Sequence, residues 1–316
     1  MTNMNPKRVN WLFATIIMAE AAMTVASVLL ARNGSLSVVA NIILSQMTLF
    51  VPAILYVVFT KEKFRELIPF RLPKISSIFL LVVISFLFMP LLTVMNAISL
   101  LFVENESQAI MELLQGTPYW LVFLFVGVLG PLSEEFVFRG VIYHGYRKSG
   151  RIVMSIFLSA LLFGIMHLNF NQMSYAIVMG ILGVLMIEAT DSFWASFIFH
   201  MCVNSSSVIL SYGQIAGGQE AQSLEESLEM AGGGMSYHET LLVVIAVYMV
   251  IAAVTTTIGG VLLYLVAKNE GQLEKIKALI DLRKEKIQCK MITLPLVITI
   301  AICIAFMLWE MWLTKQ

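Results

Sequence analysis

The sequence predicts an all-α polytopic membrane protein of about nine transmembrane helices, an eight-helix-type core plus one, with no soluble domain. Three observations carry that reading. Of 316 residues, 59% are hydrophobic and 13% charged, against about 45–50% and 25% in a soluble domain, and the mean hydropathy is +0.87. Apolar runs near the ~20 residues needed to cross a bilayer recur along the chain. Lysine and arginine concentrate in alternate connections, the pattern that orients membrane proteins.

The spans fall roughly at 10–31, 36–59, 76–102, 118–146, 152–169, 172–189, 192–211, 240–267 and 291–313. Lys7 and Arg8 precede the first, which lacks a small-residue cleavage site and reads as a retained span rather than a signal peptide. Pro90 is expected to kink the third. Gly130-Pro131 is expected to break the fourth, with Ser133 as the helix cap after it. The fifth to seventh are short and close together. With the N-terminus inside, the inner connections hold 17 of the 20 basic residues. Arg32 and Lys315 fall outside, and Arg139 falls within a span. Glu104, Glu106, Glu112, Glu220, Glu225, Glu226, Glu229 and Glu239 fall on the outer side. The expectation is a cell-membrane protein with a cytoplasmic N-terminus and an extracytoplasmic C-terminus.

The organisation is then three N-terminal helices over 1–117, a core over 118–212, an outer acidic loop over 213–239 and two C-terminal helices over 240–316. Within the last, residues 271–290 set Leu273, Ile276, Ile280 and Ile287 at helical spacing among basic residues, the pattern of an interfacial helix on an anionic leaflet. Three cysteines, Cys202, Cys289 and Cys303, form neither a disulfide framework nor a ligand spacing. No feature points to nucleic acid or bears on oligomeric state.

The chemistry concentrates in Gly130-Pro131-Leu132-Ser133-Glu134-Glu135-Phe136-Val137-Phe138-Arg139-Gly140. Ionised groups in hydrocarbon cost a few kcal/mol or more, so they pair, face water or carry function. At about 100° per residue, Glu135 and Arg139 share a face and form an i,i+4 pair, leaving Glu134 as the freer carboxylate. His167 lies on the fifth span. His200 and Asn204 lie on one face of the seventh, with Cys202 turned away. Measured from an inner boundary at Arg147, Arg151 and Asp191 at about 1.5 Å per residue, Glu134, His167, His200 and Asn204 lie roughly 20, 24, 14 and 20 Å deep. A carboxylate and an imidazole can deprotonate a shared water, and an imidazole with an amide can hold a developing oxyanion. That is equipment for peptide hydrolysis without a covalent intermediate. A His167, His200, Glu134 zinc set is the rival, although His-Glu-x-x-His spacing is absent; no cofactor is the first expectation. Glu20 on the first span either lines the site or sits near the outer interface. His144, at a helix end, and His238, in a loop, read as solvated.

Glu-Glu-x-x-x-Arg at 134–139, Phe-x-x-x-His at 163–167 and His-x-x-x-Asn at 200–204, in this order and on separate apolar spans, resemble the CPBP family. These are the CAAX-protease and bacteriocin-processing, or Abi, proteins, related to the type II CAAX prenyl endopeptidases. The likeness covers about 118–212. It implies a multi-helix intramembrane glutamate endopeptidase in which Glu134 and His167 activate water, His200 and Asn204 hold the oxyanion, and Glu135 and Arg139 shape the site. The expected partners are a membrane-embedded or lipid-associated peptide or protein substrate and the lipid bilayer; the resemblance does not specify the substrate further. A non-catalytic immunity or scaffold partner with the same fold is the alternative. A transporter using Glu134 as a proton relay is a third reading, with no inverted repeat to support it.

Overall fold

The computed structural model describes residues 6–32, 37–105, 114, 116–216, 232–282 and 290–313. All of its regular structure is helical. The helices are α1 (Pro6–Arg32), α2 (Val38–Thr60), the short α3 (Phe64–Leu67), α4 (Ile75–Ser99), α5 (Tyr119–Arg147), α6 (Ile152–Met166), α7 (Phe170–Thr190), α8 (Phe193–Ala216), α9 (Tyr237–Asn269), α10 (Leu273–Leu282) and α11 (Leu294–Leu313). Among the described residues, eight are long and apolar enough to span a membrane, and the fifteen-residue α6 makes the ninth apolar helix. The chain is a multi-pass membrane protein.

Two boundaries correct the sequence reading. Gly130-Pro131 does not break α5, which runs unbroken to Arg147. The segment Phe123–Leu129 is π-helical, and the Gly130 N–H reaches back to the Phe125 carbonyl. Pro131, which has no N–H, falls where the bonding register returns to α. Ser133 therefore caps nothing; its hydroxyl donates to Gln46 Oε1 on α2 and, at 2.9 Å, to the Gly130 carbonyl. The fifth span ends at Met166, three residues early, so α6 is only about 22 Å long. That is shorter than a hydrocarbon core of about 30 Å, so the turn after it lies within membrane depth. Irregular backbone at that depth survives only against protein or a wet cavity. Pro90, by contrast, lies inside α4, which continues through it to Ser99.

Packing is dense in the middle. α9 lies along α4, α7 along α6, and α8 fits between α4 and α5, while α1 bridges α2 and α11. One core of Phe13, Phe88, Phe136, Phe138, Phe163 and Phe199 with aliphatic neighbours runs through these helices. Apolar attraction between helices is weak in lipid, so close approach of backbones substitutes for it. At Gly180 of α7, a Cβ would fall 2.8 Å from the Ala160 Cα of α6, so only glycine allows this contact.

Polar groups bind one end of the bundle together. Asn10 donates to the Met291 carbonyl at 2.8 Å and to Thr293 at 2.7 Å, and accepts from Tyr146. Lys148 pairs with Glu62 at 2.6 Å, Arg147 with Glu188 at 2.8 Å, and Arg71 with Glu270. Lys275 of α10 pairs with Asp191 at 2.6 Å, docking the expected interfacial helix at this end. Its residues 283–289, with Ile287, lie outside the described residues, as do Glu220, Glu225, Glu226 and Glu229 of the acidic loop and Glu106 and Glu112.

Candidate active site

Glu134 and Glu135 sit on the short α-helical turn of α5 that separates its two π segments, Phe123–Leu129 and Phe136–Tyr143. Such π turns displace a helix face by one residue and recur at functional sites. The second releases the Arg139 carbonyl toward His144, whose Nδ1 lies 2.6 Å away. A carbonyl only accepts, so Nδ1 carries the proton. His144 is thus a half-buried structural donor rather than a solvated histidine. His238, expected in a loop, lies exposed in the first turn of α9.

Glu135 is fully buried. Its Oε1 lies 3.1 Å from Arg139 Nη1 and 2.9 Å from His200 Nδ1, while Ser196 donates to Oε2. Arg139, itself buried, lies 4.0 Å above the Phe163 ring and reaches the Met179 carbonyl at 3.5 Å. The anticipated i,i+4 pair is therefore present, and it is the anchor of a wider group. Phe163 stands at the centre, edge-on to His167 at 5.3 Å and to His200 at 5.8 Å.

Glu134 has the freer position. Its side chain keeps 14% exposure, and Oε2 lies 3.6 Å from His200 Nε2. Because Glu135 accepts from His200 Nδ1, the imidazole is held with Nε2 directed at Glu134. A buried acid thus orients a histidine against a second acid, one step from a cavity.

That cavity has a volume of about 320 Å³ and is lined by Glu134, His167, Glu20, Gln46, Asn169 and Glu310, among others. Exposed Thr24 on α1 and Phe306 on α11 also line it, so it reaches the surface between these helices. His167 follows the end of α6. The next residue, Leu168, adopts φ 55°, and Asn169 ties the turn down. Its Nδ2 donates to the His167 carbonyl at 3.0 Å while its Oδ1 accepts from the Gln172 N–H, capping α7. A left-handed leucine costs about 1–2 kcal/mol, and strain of this kind clusters at functional sites.

Of the residues singled out from the sequence, Glu134 and His167 share the cavity, and His200 touches Glu134 from its buried side. Glu135 and Arg139 form the support. Asn204 is not in the cavity lining; its Nδ2 donates to the Val126 carbonyl in the first π segment at 3.3 Å. Cys202 faces Ser85 on α4, away from the site. Ser196, four residues before His200 on α8, was legible from that spacing and was missed. Gln46, Asn169 and Glu310 had no sequence signal tying them to the motifs. Glu20 does line the site. Among the described residues no three His, Cys, Asp or Glu side chains converge as metal ligands.

Residues 116–206 match the family model of the type II CAAX prenyl endopeptidase Rce1-like proteins. The chain is also similar to a Bacillus subtilis (strain 168) protein named "Putative membrane peptidase YdiL", at 25% identity over 129 residues. That likeness covers 41% of this chain and 52% of the relative, so it spans about half the relative's length. No solved structure matches the chain. The matched segment runs from the turn before α5 into α8 and contains Glu134, Glu135, Arg139, Phe163, His167, His200 and Asn204. Over this core, the chain is similar to the type II CAAX prenyl endopeptidase Rce1-like proteins.

Proposed function

We propose that this protein is an intramembrane endopeptidase that hydrolyses a peptide bond in a membrane-associated peptide or protein with a water activated by Glu134. The observation that carries the reading is one partly exposed carboxylate, Glu134, sharing a cavity with His167 while a buried Glu135–His200 pair holds it from behind. A water between Glu134 and His167 loses its proton to the pair as it attacks the scissile carbonyl. With its Nδ1–H given to Glu135, His200 serves the oxyanion that develops there in its imidazolium form, which carries a second N–H on Nε2 beside Glu134. Asn204 lies one helical turn further along α8, and its amide must leave the Val126 carbonyl to join His200 in that role. Collapse of the tetrahedral intermediate returns the proton from Glu134 to the departing amine. No step uses a metal or a covalent acyl-enzyme.

The basic end of the bundle faces the cytoplasm in this reading, so the cavity opens toward the outer half of the membrane. Lys and Arg at 61–74, 147–151 and 268–275 support that orientation.

The test is cleavage of a quenched peptide library by detergent-purified protein, comparing wild type, Glu134→Gln and Cys202→Ala with and without chelator. The expected result is loss of cleavage in Glu134→Gln alone, with chelator harmless. Chelator inhibition reversed by zinc would replace this mechanism with a metal one. Cleavage by Glu134→Gln at the wild-type rate would remove the carboxylate from the chemistry. A folded wild type that cleaves nothing, with Glu134→Gln complementing a deletion strain, would favour the partner role.

A further inference from the structure

A developing oxyanion is held best by converging donors, yet the amide of Asn204 is given to the Val126 carbonyl and lies outside the cavity lining. The lining holds another amide. Gln46 stands on α2, fourteen residues or about 21 Å from the basic end of that helix at Thr60. That is the depth at which Glu134 lies on α5. Gln46 is half-buried, and its Oε1 accepts from the hydroxyl of Ser133, the residue before Glu134. Nε2 lies over the same turn, 3.7 Å from where a Gly130 Cβ would stand. The side chain is therefore anchored through its oxygen, which leaves the two N–H groups of its nitrogen for another acceptor. Gln46 lies outside residues 116–206, so the family likeness gives it no role.

The other uncharged donors of the lining are turned elsewhere. Thr24 donates to the Glu20 carbonyl at 2.9 Å, Asn169 Nδ2 to the His167 carbonyl at 3.0 Å, and the Ser45 hydroxyl serves Glu20. Among the described lining residues this leaves the Gln46 amide and His167, and His167 is kept for the water. An N–H at membrane depth without an acceptor is costly, and a substrate carbonyl is an acceptor that this cavity can admit. We propose, resting on the endopeptidase reading, that Gln46 is a catalytic residue. Its Nε2 donates to the scissile carbonyl oxygen beside the His200 imidazolium, in the place that Asn204 would otherwise take. The bond strengthens as negative charge develops on that oxygen, and the amide keeps its protons throughout. Ser133 is then a positioning residue for Gln46, and Asn204 a structural one that ties α8 to the first π segment.

The experiment compares detergent-purified wild type, Gln46→Met, Gln46→Glu and Asn204→Ala on the library peptide that wild type cleaves fastest, with a melting temperature for each. Gln46→Glu keeps the oxygen that Ser133 holds and removes the N–H, while Gln46→Met removes both at similar volume. Each Gln46 variant is expected to lower kcat by about 10²-fold or more with KM changed less than about threefold, the usual loss for one oxyanion donor. Asn204→Ala is expected to lower kcat by less than about tenfold. A thioamide at the scissile bond gives a readout that partial misfolding does not move, because sulfur is the poorer hydrogen-bond acceptor. Wild type should prefer the oxo peptide, and Gln46→Met should lose about tenfold of that preference. Full kcat in both Gln46 variants, with Glu134→Gln inactive, would overturn the assignment and leave the endopeptidase standing. Full kcat in Gln46→Glu alone would overturn it too, since the oxygen rather than the N–H would be the working atom. A 10²-fold loss in Asn204→Ala with Gln46→Met unaffected would return the role to Asn204. A folded wild type that cleaves nothing would remove this proposal together with the reading it rests on.

Discussion

Two polar layers cross this membrane protein, and they are built on opposite rules. At the basic end each acid of the network meets a base of opposite sign: Arg147 with Glu188, Lys148 with Glu62, Arg71 with Glu270 and Lys275 with Asp191. Around the cavity the balance is abandoned. Glu135 takes Arg139, and Glu134 is left with a histidine, while Glu20 is held by hydroxyls. Pairing at the first layer ties helices together where they leave the bilayer. Imbalance at the second leaves a carboxylate with something to do. In the low dielectric of a helix bundle an unmatched charge is costly, and its place beside a cavity is what the proposed hydrolysis is built on.

The comparison breaks most sharply at Glu134. Glu134→Gln, isosteric and uncharged, is expected to reduce peptide hydrolysis by about 10³-fold or more, as loss of a general base commonly exceeds 10², with the melting temperature in detergent unchanged or raised. Arg139→Met makes the opposite test one helical turn away. It leaves Glu135 buried without its cation, at a cost of about 3–5 kcal/mol, and SDS-induced unfolding should register it. Activity should fall with it because His200 loses its fixed acceptor. An Arg139→Met variant of normal stability would show that the group behind the cavity is not an anchor.

How far the sequence anticipates these layers depends on what each rests on. The Glu135–Arg139 pair and the freedom of Glu134 were legible because both follow from helix angles within one segment, and the interposed π segments did not undo them. Eight of the nine spans were legible from hydropathy alone, including the short sixth and seventh, which appear as α7 and α8. The unbroken α5 was not, because proline at a π-to-α junction reads like proline at a helix stop. Nor was the short reach of α6, since Leu168 and Asn169 give an apolar-run count no reason to stop at Met166. Gln46 and Glu310 enter the site only through packing of α2 and α11, and no local spacing encodes which helix lies across a cavity. The placement of Asn204 against Val126 depends on a carbonyl freed by the first π segment, which is likewise invisible in one dimension.

A smaller effect sharpens the support of Glu135. At Gly183 of α7 an added Cβ would fall 2.5 Å from Ser196 Oγ and 3.3 Å from Arg139 Nε. Gly183→Ala should therefore push Ser196 off Glu135 and cost about 1–3 kcal/mol, the usual range for overpacking. Ser196→Gly in the same chain should restore part of that stability, a coupling that a double-mutant cycle measures. Additive losses would mean that the two side chains do not compete for one space.

The smallest effect comes from the basic end and separates its pairs by burial. Arg147 keeps 24% of its side chain exposed and holds Glu188 through both Nε, at 2.8 Å, and Nη2, at 3.0 Å, while Tyr143 donates to the same acid at 2.7 Å. Arg147→Gln should destabilise measurably, because Glu188 is buried and keeps only the tyrosine. Lys277, by contrast, pairs at 2.8 Å with Glu274 on the open surface of α10, where both side chains are mostly exposed. The attraction is real enough to raise the lysine's pKa, chiefly through its hydrogen bond to Glu274. Water and salt screen such a pair, and exposed ion pairs contribute little to stability. Lys277→Gln should leave unfolding in detergent unchanged, at low salt as at high. A loss comparable to that of Arg147→Gln would mean that α10 is held by its own surface charges, and that the Lys275–Asp191 contact is not what docks it.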